Sequence, residues 1–210
     1  MKINDDAVSP VVGVMLMLVI TIVIAAIVSV FAGGVIADVE APSQTTFTVK
    51  STIDQISDSD KTNAVPDNPT SANNGIRFTV AGGDSIFLDD LTIQLSDKNS
   101  QMKFTTRTAA NASSIFAAPV LTNYEGQKTH FSTGGSLYTE LNAGDYFVLL
   151  ADSCYDSTLA TDAEITKGRF LVWNPDDFKG TFEAQIGKSI EYSIIDTSSG
   201  SVLQRGTVKI

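Results

Sequence analysis

The sequence predicts one long N-terminal hydrophobic α-helix followed by an all-β antiparallel sandwich, an α+β protein by element content. Three observations carry this prediction. Every position from Ala7 to Ala37 is uncharged. Beyond Asp38 the apolar residues recur with period two, and turn-forming residues separate the runs. After residue 40 no stretch shows the period of an amphipathic helix.

The helix comes first. Val11 to Ile36 is almost wholly apolar, 26 residues of which thirteen are Val or Ile. A helix of that length reaches roughly 39 Å, more than the ~30 Å hydrocarbon core of a bilayer. Val and Ile are poor helix formers in water, but in lipid an unpaired backbone group costs several kcal/mol, so the segment is helical there. Ser9 is placed to cap the first turn, and Pro10 suits the first helical position, where its missing N–H costs nothing. Gly33-Gly34 mark the far end. Thr21, Ala25, Ser29, Gly33 and Ala37 recur every four residues and form a ridge of small side chains, the kind of face along which membrane helices approach closely. Three readings remain open for the segment. It is a cleaved secretory signal ending near Ala37, a plain membrane anchor, or a helix that both spans the membrane and packs into an assembly. The first fits poorly with so long an apolar stretch behind the acidic leader MKINDD.

Positions 5 to 34, DDAVSPVVGVMLMLVITIVIAAIVSVFAGG, resemble the N-terminal region of archaeal type IV pilins. The closest agreement lies in AVSPVVGV at 7–14, where a short charged leader meets Ser-Pro at the mouth of a long apolar helix. The resemblance implies a type IV pilin-like fold and a precursor processed between Asp6 and Ala7 by a membrane-embedded prepilin peptidase. It further implies helices that leave the membrane to form a filament core with copies of the same chain, driven by a pilus assembly machinery. Bacterial type IV pilins usually carry Glu at the fifth mature position. This chain has Val11 there, so a register mechanism based on that Glu does not transfer.

The organisation that follows is a leader at 1–6, a transmembrane and assembly helix at 7–37, a linker at 38–44 containing Pro42, and a β-sandwich head at 45–210. Residues 38–210 carry 22 acids and 13 bases and are long enough for a core of their own. Alternating strands are predicted at Phe47-Val49-Ile53, Ile76-Phe78-Val80, Leu91-Ile93-Leu95, Met102-Phe104, Phe182-Ala184-Ile186, Ile190-Tyr192-Ile194 and Val202 to Ile210. Tyr146–Leu150 and Phe170–Trp173 are continuous apolar runs, which suit central strands. Turns are predicted at Gly82-Gly83-Asp84, Ala143-Gly144-Asp145, Asn174-Pro175-Asp176 and Ser198-Ser199-Gly200. The stretches at 82–97, 141–150 and 191–210 also resemble the heads of those pilins, more loosely.

Little in the head points to chemistry. The net charge of −10 opposes binding to nucleic acid, which needs clustered Lys and Arg. A single Cys, Cys154, excludes an internal disulfide framework, and a single His, His130, excludes multi-His metal sites. His130 sits in QKTHFSTGG, far from carboxylates in sequence, and is expected on an exposed loop. Cys154 is either a small buried hydrophobe or a half-exposed thiol. The pairs Asp89-Asp90 and Asp176-Asp177 read as turn or surface residues, because strand neighbours point to opposite faces. Asp54, Asp58, Asp60 and Asp67 lack the spacing of a Ca²⁺ loop and read as a solvated loop. Asn111-Ala112-Ser113 is a glycosylation sequon, the other Asn-x-Thr being spoiled by Pro69. No cofactor, metal or enzymatic activity is expected. The sequence is read as a structural subunit of an adhesive surface filament, membrane-held as a precursor and extracellular once assembled. The alternative is a monomeric, membrane-anchored extracellular binding domain.

Overall fold

The computed structural model describes residues 10–34, 44–54, 56, 73–111, 116, 118–136, 138–158, 166–175 and 180–210. The chain divides into two compact units, residues 1–41 and 42–210. Within the first lies helix α1, Pro10–Gly34. The proline opens it, as its fixed φ and absent N–H dictate.

The second unit is built from strands β1 (Thr45–Thr52), β2 (Gly75–Gly83), β3 (Ile86–Phe87), β4 (Leu91–Ser96), β5 (Gln101–Phe104), β6 (Phe131–Ser132), β7 (Glu140–Leu141), β8 (Tyr146–Leu150), β9 (Ser153–Asp156), β10 (Arg169–Trp173), β11 (Phe182–Gln185), β12 (Ser189–Asp196) and β13 (Val202–Lys209). Among its described residues the one helical element is a three-residue 3₁₀ turn, Leu88–Asp90. Two four-stranded antiparallel sheets, ordered β1-β2-β8-β6 and β13-β12-β4-β5, form the sandwich that the period-two pattern predicts.

The inner faces follow directly from the alternation. Ile76, Phe78 and Val80 of β2 are buried, as are Leu91, Ile93 and Leu95 of β4 and Ile190, Tyr192 and Ile194 of β12. They belong to one continuous core. Phe78 stacks on Phe147 of its own sheet at 4.9 Å and meets Tyr192 of the opposite sheet edge-on at 6.1 Å. Such geometries add roughly 0.5–1.5 kcal/mol per pair beyond burial. The two predicted central strands are central: β8 lies between β2 and β6, and β10 between β9 and β11.

One long edge of the sandwich is closed by a side chain. The Gln204 amide on β13 accepts the Phe47 N–H at 2.7 Å and donates to the Phe47 carbonyl at 2.9 Å and the Tyr192 hydroxyl at 2.8 Å. Farther along, the Ser51 hydroxyl donates to the Lys209 carbonyl at 2.6 Å. The first and last strands of the head are therefore fastened across the gap between sheets.

A third sheet is ordered β11-β10-β9; alternation predicts β11 and the apolar run predicts β10, while β9 leaves no such trace. Its inner residues Cys154, Leu171, Trp173, Phe182 and Ala184 join the common core, while Tyr155, Phe170 and Val172 form a small cluster on its other face. With both faces covered, β10 loses the alternation that marks a one-sided strand. The β12–β13 hairpin turns where Gly200 takes φ +69°, a conformation costly for other residues. Asp196 locks it by accepting from the Ser198 and Ser199 hydroxyls at 2.6 and 2.9 Å. Burial alone would raise the Asp196 carboxyl, but those hydroxyls and the Ser198 and Ser199 amides hold it below the usual carboxylate value.

Candidate functional site

Helix α1 has no acid in its first turn and no base in its last. Its side chains from Val11 to Val30 are exposed on every side, from Ile20 at 48% to Val30 at 73%, with a mean hydropathy of 3.2. At 25 residues it spans about 38 Å. An apolar surface of that extent, without a polar face, is unsuited to water and suited to lipid or to other helices. Thr21 hides its polar atom by donating from Oγ1 to the Leu18 carbonyl at 2.8 Å, which leaves a methyl-sized bump outside.

Of the small-residue ridge, Thr21, Ala25 and Ser29 lie exposed on α1 at four-residue intervals, and Gly33 falls in its last turn. Asp6, Ala7, Ser9 and Ala37 lie outside the described residues, as do Asp58, Asp60, Asp67, Asp176 and Asp177. Asn111 is half-buried and donates its backbone N–H to the Asn174 carbonyl at 3.3 Å, and the Ser113 of its sequon is outside the described residues.

His130 departs from expectation. It is 1% exposed, and its Nε2 lies 2.8 Å from Asp152 Oδ2. Phe104 and Phe116 stand edge-on to the imidazole at 5.4 and 5.8 Å. The cause is topological. The Leu121 N–H binds the Phe131 carbonyl and the Leu150 N–H binds the His130 carbonyl, so the segment around His130 is a sheet element rather than a loop. Asp152 also accepts the Asn174 N–H at 2.5 Å. Imidazole and carboxylate here form a buried dyad, and Nδ1 is buried without a hydrogen bond. The arrangement fastens β6, β10 and the start of β9 to one another.

Cys154 is the buried hydrophobe of the two readings, with no exposure. Burial, and secondarily the Asp156 carboxylate, pushes its thiol up to about 11. At pH 8 the folded protein is therefore expected to resist a thiol-specific alkylating reagent, with labelling at least tenfold slower than after denaturation (roughly a tenfold loss of thiolate per unit of pKa). Equal labelling rates by mass spectrometry would contradict the burial.

Of the acidic pairs, Asp89 proves to be a hub. It accepts the Thr106 hydroxyl, the Tyr124 hydroxyl at 2.6 Å and the Arg107 guanidinium at 3.4 Å. Burial tends to raise its carboxyl, and the three donors together hold it below the usual value. Among the described residues no group of three His, Cys, Asp or Glu side chains could hold a metal ion.

Residues 6–46 match the protein family described as Archaeal Type IV pilin, N-terminal. No curated protein and no solved structure matches the chain.

Proposed function

We propose that this chain, which carries the N-terminal region of an archaeal type IV pilin over residues 6–46, is a subunit that polymerises through residues 7–37 into an adhesive surface filament. The observation that carries the reading is α1 itself: apolar around its whole circumference, matched to the family, and joined in the chain to a β-sandwich with its own core. A fully buried Val, Ile or Leu contributes about 1.5–3 kcal/mol relative to water, so such a helix gains tens of kcal/mol in lipid or among copies of itself, before entropy is subtracted. In this account a prepilin peptidase removes residues 1–6 between Asp6 and Ala7. Assembly machinery then draws helices from the membrane into the filament core, with heads outside.

Sheared surface material should then contain lipid-free filaments that survive mild detergent, and intact mass should show loss of the first six residues. Filaments retaining Met1 would refute the processing step. A chain that stays in the membrane fraction and yields only monomers in detergent would favour the anchored binding domain.

The small ridge sets the helix spacing in this reading. Ser29→Leu is expected to reduce filament yield by about tenfold or more, since overpacking costs about 1–3 kcal/mol at a close helix contact. Membrane insertion should be unchanged, leucine being at least as apolar. Normal yield, read by shearing and immunoblot, would remove the ridge from the assembly.

A further inference from the structure

Two tyrosines stand side by side on the outside of the head. Tyr124 is 55% exposed and Tyr138 64%, with ring centroids 6.0 Å apart and planes inclined at 68°. Both rings are held in the open by rigid local structure. Tyr124 follows Asn123, whose Oδ1 accepts the N–H groups of Glu125 and Gln127 at 3.0 and 2.9 Å. Its hydroxyl donates to Asp89, and the Arg107 guanidinium bound to that same carboxylate lies 5.5 Å from the ring centroid. Tyr138 sits in a turn where Thr139 Oγ1 accepts the Ser136 N–H at 2.7 Å and donates to the Ser136 carbonyl at 2.6 Å.

The rings border a recess of about 440 Å³, lined also by Val120, Leu121, Thr122 and Ser136. That volume falls within the range of small-ligand sites, about 300–1,000 Å³. Among the described residues no charged side chain lines it, although the chain as a whole carries −10. Asp89, which accepts from the Tyr124 hydroxyl, is already matched by Arg107. A charged ligand would find no counter-charge among the described lining residues, and the adjacent Arg107 and Asp89 are already paired with each other. A purely apolar one would strand the hydroxyl-bearing residues of the wall, and a docking protein would need a far larger surface, on the order of 1,000 Å².

We propose that the recess between Tyr124 and Tyr138 binds a neutral carbohydrate. A pyranose has an apolar C–H face that fits a tyrosine ring and a hydroxyl edge that fits Thr122, Ser136 and the phenol oxygens. Tyrosine offers this amphipathic area with few rotatable bonds, so little entropy is lost on binding. The Tyr124 hydroxyl donates its hydrogen bond to Asp89, and its oxygen can still accept from a sugar hydroxyl. The inference supplies a target class for the adhesive reading and rests on it for its setting, whereas the binding itself is a property of the single chain.

The test uses the full chain in phosphocholine micelles, since glycosidic detergents would compete. The probes are the methyl glycosides of glucose, galactose, mannose and N-acetylglucosamine, with N-acetylneuraminic acid as the charged comparison. Saturation of the protein's resonances should transfer to the C–H protons of at least one neutral probe. Tyr138→Ala and Tyr124→Ala should each weaken binding by about tenfold, and Tyr138→Phe by no more than about twofold. Tyr146→Ala, outside the recess, should change nothing, and unaltered Trp173 emission would show that each variant is folded. The proposal is overturned if no neutral probe shows transfer, if transfer survives in the double alanine variant, or if only the anionic sugar binds. It is equally overturned if the double variant's sole effect is weaker self-association in sedimentation, which would make the patch a contact between copies. Failure of filament formation would leave these results untouched.

Discussion

Phe78→Ala is expected to destabilise the head by about 3–5 kcal/mol, the usual cost of emptying a buried phenylalanine site. Phe78 has no exposure and bridges the layers through Phe147 and Tyr192, so the truncation removes contacts within one sheet and between the two. Domains have only about 5–15 kcal/mol in hand, so the variant should unfold at a much lower denaturant concentration. Trp173, the single tryptophan and fully buried, reports the transition in the full chain. A loss under about 1 kcal/mol would mean that the two sheets do not share this core.

Asp152→Ala should cost about 2–5 kcal/mol, since it takes the side-chain acceptor from two groups, at about 1–3 kcal/mol each. It strands His130 Nε2 in a pocket walled by Phe104 and Phe116, beside an Nδ1 that already lacks a partner. It also takes the side-chain acceptor from the Asn174 N–H. The double variant Asp152→Ala with His130→Phe should recover part of the loss, because an apolar ring suits those aromatic walls. Strictly additive losses in the four-way cycle would show that the two side chains do not depend on one another.

The contrast between these two sites explains what the sequence could reveal. Phe78 was legible because Ile76, Phe78 and Val80 alternate with polar residues, and a strand with one face on a core leaves that trace locally. The same holds for β4, β12 and the helix, whose uncharged run is a continuous signal. The His130–Asp152 pair leaves no local trace. Its members are 22 residues apart and meet because β6 pairs with β8, and β6 has two residues, too few for any period. The Asp89 hub is hidden in the same way, gathering Thr106, Arg107 and Tyr124 across 17 to 35 positions. Adjacency to Asp90 is the local feature of Asp89 in the sequence, and it says nothing of the aromatic patch that Asp89 anchors.

The clasp between β1 and β13 also bears on how the head answers a pull. A force applied at Thr45 along the strand axis would draw β1 lengthwise. The β1–β2 register runs from Thr45↔Gly83 to Thr52↔Gly75, and its hydrogen bonds lie across that direction. Drawn this way, the rungs share the force as a shear and must yield nearly together, instead of opening one at a time like a zipper. Gln204 and Ser51 add cross-ties from β13 on the other side of the same strand. β1 is thus gripped on both edges, by β2 on one and by the ties to β13 on the other.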